Sequence, residues 1–290
     1  MRFDKNTEAP ILIVLGQSNA QGSTTRLSRE MEINSPLKNV YGLSRDDNQA
    51  FGLKEVIWSG YTSYGMNLGQ KEDHTYCLAT EFARGWQERI DKGEKLPDLY
   101  IIHISIGGQG VNEHESLYEG KEMNMWYPER EKVMDVKDPA QPDISLYPFA
   151  LEILKLSMDS IYKMGKTPVI IGLHWNQWEA EVDMGGTALE NAYKTYTQMW
   201  DGFREALGME YPLYLYKPLS ELYNNPKGVE KITNVFERFV HERNCVKMLD
   251  VSKTSGWRSD TKDHGIFGED YVHYLPWVHQ WFAEKQFEEL

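Results

Sequence analysis

The stretch that decides the fold of this chain reads Ile11-Leu12-Ile13-Val14-Leu15-Gly16-Gln17-Ser18-Asn19-Ala20-Gln21-Gly22. Five consecutive aliphatic residues are typical of a strand that is buried on both faces, as strands are in parallel sheets. A serine follows this strand, at the edge where open α/β sheets bind their ligands. Ser18 is therefore a candidate nucleophile. The alternative is an ordinary β-to-α turn in which Ser18 is a helix N-cap.

Further apolar strands and amphipathic helices alternate along the rest of the chain. The predicted strands are 99–106, 168–175, 212–216 and 245–251, with short β-prone pieces at 39–44 and 55–58, and the predicted helices are 76–90, 148–164, 187–207, 228–243 and 275–287. Strands that alternate with helices form βαβ units around a parallel sheet. The fold class is therefore α/β, a flavodoxin-like three-layer α/β/α sandwich with a central, mostly parallel sheet.

The chain of 290 residues contains no linker, low-complexity tract or internal repeat. We therefore expect residues 1–290 to form one domain. The segment 111–147 departs from the alternation, because it is polar and charged and carries aromatic residues such as Trp126 and Tyr127. Connections of this length are usually either functional or disordered, and the aromatic residues favour a functional segment because they need a surface to pack against. We predict a substrate-side insertion here.

The net charge of −13 disfavours binding to nucleic acids and to anionic membrane surfaces, since both require a basic surface. The first strand is preceded by a charged segment with no apolar run, so neither a signal peptide nor a transmembrane span is predicted, and a cytoplasmic location is expected. Cys77 and Cys245 lie far apart and do not indicate a disulfide. Without a metal-ligand motif, no metal or other cofactor is expected.

Four places combine polar residues in a way that suits acyl transfer. They are Ser18, Gly107-Gly108-Gln109, Gln177 with Glu179, and Asp270-Tyr271-Val272-His273. A serine nucleophile needs a neighbouring base, the imidazole that acts as this base needs a carboxylate, and the tetrahedral intermediate needs hydrogen-bond donors. Other residues compete for the acid and base roles, namely Asp250, Asp263, His103, His114, His174 and His264. Of these, His103 and His174 fall within predicted strands and are expected to be core residues.

The four places also resemble, in order, the sequence blocks of the SGNH/GDSL hydrolase superfamily. Gly16-Gln17-Ser18-Asn19 resembles the first block in the branch of the carbohydrate acetylesterases and sialate O-acetylesterases. Gly107-Gly108 is similar to the second block, and the heptapeptide from Trp175 to Glu181 is similar to the block W-x-Q-G-E-S-[DN]. Asp270-Tyr271-Val272-His273 matches the last block, D-x-x-H. The resemblance spans most of the chain and implies the same α/β/α fold.

The resemblance implies roles for individual residues. Ser18 would be the nucleophile, His273 the general base and then acid, and Asp270 the carboxylate that orients it. The oxyanion hole would consist of the backbone N–H groups of Ser18 and Gly108 and the side-chain amide of Gln177. The residues expected to support the site or to bind substrate are Asn19, Gln109, Trp126, Trp178 and Glu179.

Two residues depart from the pattern of the family. Trp178 stands where glycine is usual, and Gln109 stands where a small hydroxyl residue is common. We therefore expect an unusual substrate pocket around an intact triad. Glu179 would either anchor the loop that carries Gln177 or be a solvated loop acid.

The expected function is that of a serine esterase that removes acetyl groups from carbohydrate hydroxyls through an acyl-Ser18 intermediate. Its partner would be a small-molecule or polysaccharide acetyl ester. One alternative is a carbohydrate-binding or structural protein that has this fold without turnover. Others are an esterase or lipase for longer acyl chains and, with weaker support, a peptide-bond hydrolase.

Overall fold

The structure, a computed structural model, is built around a seven-stranded sheet. It describes residues 3–23, 31–70, 76–113, 117–118, 121–138, 141–219 and 225–290. The strands are β1 (Glu8–Gly16), β2 (Val40–Leu43), β3 (Trp58–Gly60), β4 (Leu99–Ser105), β5 (Leu117–Tyr118), β6 (Lys121–Glu122), β7 (Met134–Asp135), β8 (Asp143–Ile144), β9 (Thr167–Asn176), β10 (Leu213–Tyr216) and β11 (Val246–Leu249). The helices are α1 (Ser18–Gln21), α2 (Arg45–Asn48), α3 (Leu78–Asp91), α4 (Leu146–Lys163), α5 (Glu179–Met184), α6 (Gly186–Leu207), α7 (Pro226–Glu242) and α8 (Pro276–Glu288).

The sheet has the strand order β11-β10-β9-β1-β4-β2-β3. All neighbouring strands are parallel except β3, which pairs antiparallel with β2 at the edge. After β1 the chain moves to one side of the sheet, and after β4 it crosses to the other side to form β9. The carboxyl end of β1 therefore lies at the switch in direction, which is where α/β sheets bind their ligands.

Both faces of the sheet are covered. Ile11, Ile13 and Leu15 of β1 pack in one core with residues of α4, α6 and α7. Leu12 and Val14 point to the opposite face and pack in a second core with residues of α3 and α8. The continuous aliphatic run thus marks a doubly covered strand, as expected. The predicted three-layer α/β/α fold with a mostly parallel sheet is confirmed.

The helix and strand bounds differ from the predicted ones by a few residues. The sequence did not predict α5, a short helix that is separated from the end of β9 by only Gln177 and Trp178. Six residues are too few to show a helical periodicity, and three of them are acidic. The segment 111–147 contains the two strand pairs β5–β6 and β7–β8. Its residues 114–116, 119–120 and 139–140 lie outside the described part of the chain.

His103 and His174 are core residues, as predicted. The Nε2 atom of His103 lies 3.0 Å from the Ala20 carbonyl oxygen, and His174 lies 2.9 Å from both the Tyr216 hydroxyl and Gln286 Oε1. Burial lowers the pKa of each imidazole to about 4, so both are neutral at physiological pH. Cys77 and Cys245 are free thiols. Over the described ranges, no helix is both long and apolar enough to span a membrane.

Candidate active site

The turns that follow β4 and β9 lie on either side of the turn that follows β1. In the strand registers, Gly16 is paired with Ser105 on one side and with Asn176 on the other. A Cβ atom added to Gly107 would lie 3.3 Å from the Cβ atom of Ser18. Three of the four predicted places therefore meet at one edge of the sheet.

Ser18 is the first residue of α1, and Gln17 occupies the N-cap position. The alternative in which Ser18 is the N-cap is therefore wrong. The side chain of Ser18 is half-buried, whereas its neighbours Gln17 and Asn19 are buried. Gly16, with φ of +142°, lets the chain turn sharply against the backbone of Asn176. The turn thus exposes the hydroxyl-bearing residue and fixes the residues on both sides of it.

The fourth place forms a hydrogen-bonded pair of a carboxylate and an imidazole. Asp270 Oδ2 lies 2.6 Å from His273 Nδ1, and Asp270 Oδ1 accepts the backbone N–H groups of Val272 and His273. Burial tends to raise the pKa of Asp270, but the hydrogen bonds from the His273 side chain and the two amides outweigh it, and the pKa lies below its ordinary value. The pair leaves Nε2 of His273 free for a second partner, because the structure contains no hydrogen bond between this atom and any described residue, Ser18 included.

Asn19 joins the turn of Ser18 to this pair. Its amide nitrogen donates to the Val272 carbonyl at 3.2 Å, and its Oδ1 atom accepts the backbone N–H of Tyr274 at 3.0 Å. These two residues flank His273 in the chain. The residue next to Ser18 therefore fixes the backbone on both sides of the imidazole, which places His273 and Ser18 in one hydrogen-bonded unit.

Glu179 is hydrogen-bonded to the turn of Ser18. Its carboxylate is buried and accepts hydrogen bonds from Gln17 Nε2 at 2.5 Å, from Asn19 Nδ2 at 3.2 Å and from the Trp178 backbone at 3.0 Å. Glu179 is therefore an anchor and not a solvated loop acid. Burial raises the pKa of Glu179, and the hydrogen bonds that it accepts partly oppose this effect.

Glu181, two residues later, binds the turn that follows β4. Its side chain is completely buried, and Oε1 accepts the backbone N–H of Val111 at 2.6 Å. Its other oxygen accepts a hydrogen bond from the amide of Gln177. Burial raises the pKa of Glu181 to about 7, with a further contribution from the charge of Glu179. Two buried carboxylates at the start of α5 thus fix the neighbouring turns. Glu179 binds the turn that follows β1, and Glu181 binds the turn that follows β4.

Gln177 has no solvent exposure in the structure. Its Nε2 atom donates to Glu181, and its Oε1 atom accepts the hydroxyl of Tyr196 at 2.8 Å. A primary amide has two N–H donors. One is therefore used by Glu181, and the predicted contribution of Gln177 to an oxyanion hole would come from the other.

The tryptophans and Gln109 lie beneath the site surface. Trp126 is completely buried, donates from Nε1 to the Gly16 carbonyl at 3.1 Å and packs edge-on against Trp175. Trp178 is also buried. Gln109 is nearly buried, and its Oε1 atom accepts the backbone N–H of Met125 at 3.4 Å. In this structure the three residues support the turns and do not present a face to a substrate.

The competing acidic residues and histidines have other partners. His264 donates from Nδ1 to the Arg258 carbonyl at 2.9 Å and stacks on Trp257, and Asp250 forms an ion pair with Lys217. His114 lies outside the described residues. Within the described ranges, no group of three or more His, Cys, Asp and Glu residues could hold a metal ion.

Sequence reasoning missed three residues that shape the site. Glu181 and Gln17 are described above, and Gln21 Oε1 accepts the backbone N–H of Gly107 at 2.7 Å. Only the position of Gln17 and Gln21 around Ser18 could have drawn attention to them. This hydrogen bond occupies the N–H of Gly107. The next backbone N–H of that turn belongs to Gly108, whose φ of +71° is left-handed.

We expect Asn19→Ala to lower kcat for ester hydrolysis by about 10- to 100-fold with KM changed by less than about threefold. The reason is that a displacement of about 1 Å of a catalytic group is enough for a loss of this size. Steady-state kinetics with p-nitrophenyl acetate measure it. The matched control is Asn48→Ala, which removes another buried asparagine with three hydrogen bonds to the backbone. Equal kcat losses in the two variants would contradict a positioning role of Asn19.

We expect the free energy of unfolding to contain a contribution from Glu181 that decreases as the pH rises and this carboxyl group loses its proton. Folding raises its pKa from 4.5 to about 7, so the native state retains a proton that the unfolded state loses between these values. This stabilisation is complete below about pH 4.5 and is lost by about pH 7, with a size on the order of 3 kcal/mol. Urea unfolding at pH 5 and pH 8 measures it.

Glu181→Gln removes the titrating group, and the stability difference between pH 5 and pH 8 should shrink in this variant. The new glutamine is accommodated if the side-chain amide of Gln177 rotates by half a turn. Gln177 Oε1 can then accept from the new amide, and Gln177 Nε2 can donate to the Tyr196 hydroxyl. Glu190→Gln, at an exposed position of α6, is the control and should leave the difference unchanged. The same pH dependence in Glu181→Gln and wild type would exclude Glu181 as its source.

The fold of this chain is similar to that of solved structures over nearly its whole length. The structure of NanS aligns over 99% of this chain and 99% of its own, with a TM-score of 0.62 and 15% identity. A protein from Arabidopsis thaliana aligns over 96% and 98%, with a TM-score of 0.61 and 13% identity. The chain therefore shares the fold of these two proteins over nearly its whole length.

Est24, a carbohydrate acetylesterase from Sinorhizobium meliloti, aligns over 98% of this chain and all of its own, but its TM-score is only 0.44 and its identity 9%. No protein-family model and no curated protein sequence matches the chain. At identities of 15% and 13%, the structures of NanS and of the Arabidopsis protein are evidence for the fold alone.

Proposed function

We propose that the protein is a serine esterase that removes a short acyl group, acetyl in the first instance, from hydroxyls of carbohydrates. The observation that carries this proposal is the link made by Asn19, which joins the turn of Ser18 to both neighbours of His273. A nucleophile and a carboxylate-bound imidazole that belong to one hydrogen-bonded unit are what acyl transfer requires.

In this mechanism Ser18 Oγ attacks the ester carbonyl while His273 Nε2 takes its proton. Asp270 holds the imidazole through Nδ1 and stabilises the imidazolium that forms. The protonated His273 then donates to the leaving sugar oxygen, and acetyl-Ser18 remains. Water activated by His273 hydrolyses this intermediate and restores Ser18. No cofactor takes part in these steps.

The negative charge of the tetrahedral intermediate falls near the Ser18 turn. The proposed donors are the backbone N–H groups of Ser18 and Gly108 and the second amide hydrogen of Gln177. No hydrogen bond to a described residue occupies either backbone donor. Donors fixed in advance stabilise the developing charge without reorganisation. The hydrogen bonds that Glu179 and Glu181 accept would keep these donors in place.

The preference for a carbohydrate acetyl ester rests on the resemblance of Gly16-Gln17-Ser18-Asn19 and the later blocks to the carbohydrate acetylesterase branch. A series of p-nitrophenyl esters from acetate to octanoate, together with acetylated sugars, tests it. The proposal expects the highest kcat/KM for acetate and release of acetate from a sugar. A maximum at long chains would favour a lipase instead.

Treatment with an organophosphonate, followed by mass spectrometry of the intact protein, tests the nucleophile directly. The expected result is one adduct in the wild type and none in Ser18→Ala. An adduct that persists in Ser18→Ala would place the nucleophile elsewhere. A protein without an adduct that still binds sugars would be a carbohydrate-binding protein and not an esterase.

A further inference from the structure

Tyr271 lies between the two residues of the Asp270–His273 pair and has a backbone conformation that tyrosine rarely adopts. Its φ angle is +61°, and the only other described non-glycine residue with positive φ is His264. A left-handed conformation is costly for a bulky side chain, whereas glycine or asparagine adopts it readily. The tight turn from Asp270 to His273 therefore does not itself call for a tyrosine.

The side chain of Tyr271 is also exposed. Its accessible fraction is 38%, and among the residues whose side chains the structure describes, Tyr162, on α4, is the only other exposed phenylalanine, tyrosine or tryptophan. Packing in the core thus does not account for the presence of an aromatic ring at this position. Backbone strain and an exposed ring coincide at one residue, two positions before His273, and strain of this kind is concentrated at ligand sites.

Hydrogen bonds hold the backbone at and next to Tyr271. The Tyr271 backbone donates to the Gly268 carbonyl at 3.0 Å, and its neighbour Val272 is bonded to Asp270 and to Asn19. The ammonium group of Lys262, an exposed residue, lies 4.2 Å from the centre of the ring. The ring of Tyr271 therefore lies close in the chain to the proposed general base, with the Lys262 ammonium over one of its faces.

We infer that Tyr271 is a specificity-determining residue whose ring stacks on a pyranose ring of the substrate. This inference rests on the proposed esterase function and adds the part of the substrate that lies outside the acyl group. The C–H groups on one face of a pyranose carry partial positive charge and are attracted to the negative face of an aromatic ring. Because the Lys262 ammonium lies over one face of the ring, the pyranose would stack on the other face.

The test compares two acetate esters, one with a sugar and one without. The substrates are monoacetylated methyl β-xylopyranoside and p-nitrophenyl acetate. We expect Tyr271→Ala to lower the ratio of kcat/KM for the sugar ester to that for the aryl ester about tenfold, mainly through a higher KM for the sugar ester. Tyr271→Phe keeps the ring and should keep the ratio within about threefold of wild type. An unchanged ratio in Tyr271→Ala, or an equal loss for both esters, would overturn the inference.

Thermal unfolding distinguishes a role of Tyr271 in sugar recognition from a structural role in its loop. We expect Tyr271→Asn to melt at the same or a higher temperature than wild type, because asparagine relieves the left-handed strain, and yet to show the lowered ratio. Tyr162→Ala, which removes the other exposed tyrosine, is the control and should change neither the ratio nor the activity. A lower melting temperature with an equal loss on both esters would identify Tyr271 as a structural residue only.

A binding experiment keeps the inference separate from the esterase proposal. In Ser18→Ala, calorimetry with the same xyloside ester should show a Kd at least fivefold weaker when Tyr271→Ala is added. If wild type hydrolyses neither ester but this difference is present, the ring still binds sugar and the esterase proposal fails. If the esters are hydrolysed but the two Kd values agree, the esterase proposal stands and the role of Tyr271 is refuted.

Discussion

Ser18→Ala is expected to lower kcat for p-nitrophenyl acetate by at least about 10⁴-fold while leaving the fold unchanged. Removal of a serine nucleophile takes away every step that passes through the acyl-enzyme, and what remains is the contribution of binding and of the oxyanion donors. The substitution deletes one half-buried oxygen that makes no hydrogen bond to a described residue, so stability should change little. Steady-state kinetics and urea unfolding measure the two effects.

His273→Ala should lower kcat by a similar factor, since serine and base act as a unit and their losses do not add. Asp270→Asn should cost less, about 10²-fold, because the pair is partly exposed and water can take over some of the orienting role. Ser59→Ala, at a half-buried serine of β3, is the matched control and should retain full activity. A Ser18→Ala variant with more than a tenth of wild-type kcat would refute the proposed mechanism.

Gly16→Ala is expected to cost more than about 4 kcal/mol of stability or to prevent folding. An added Cβ atom would lie 2.7 Å from the carbonyl carbon of Asn176 and closer still to its oxygen, and φ at this position is +142°. The obstacle is backbone in the centre of the sheet, so it cannot move aside as a flexible side chain would. Clashes of this kind belong to the most destabilising class of substitutions.

The matched control is Gly52→Ala. Gly52 also has a positive φ, +75°, but an added Cβ atom would meet no atom within 4 Å. We expect it to cost about 1–2 kcal/mol for the backbone conformation alone. Urea unfolding followed by tryptophan fluorescence compares the two, with the soluble fraction as the readout if Gly16→Ala does not fold. Equal losses in the two variants would show that the close approach to Asn176 is unimportant.

The sequence predicted the architecture well because the decisive signals were local. The unbroken aliphatic run before Gly16 indicated a strand covered on both faces, and glycines such as Gly208 marked helix ends; in the structure this residue caps α6 with φ of +67°. Polar residues at strand ends identified the edge at which the site lies, because parallel strands end at the same edge.

The interior of the site could not be predicted in the same way. The sequence left open whether Glu179 is an anchor or a solvated loop acid and gave no role to Glu181, since charged residues are almost never fully buried unless they are paired. Their burial depends on partners that are far away in the sequence, such as Gln17 and Val111. The sequence also left open whether Trp126 supports the site or binds substrate; in the structure it is buried and donates to the Gly16 carbonyl. Contacts of this kind depend on tertiary packing and are not indicated by any periodic pattern in the sequence.

The hydrogen bonds of Asn19 also have a consequence for the order of events during folding. They join residues that are 253 and 255 positions apart in the sequence, at the carbonyl of Val272 and the amide of Tyr274. Contacts with such a large separation carry a high entropic cost of loop closure and form late. A ribosome also delivers residues 272–274 long after Ser18. Ester hydrolysis should therefore be among the last properties that a newly made chain acquires, after the central sheet has already formed.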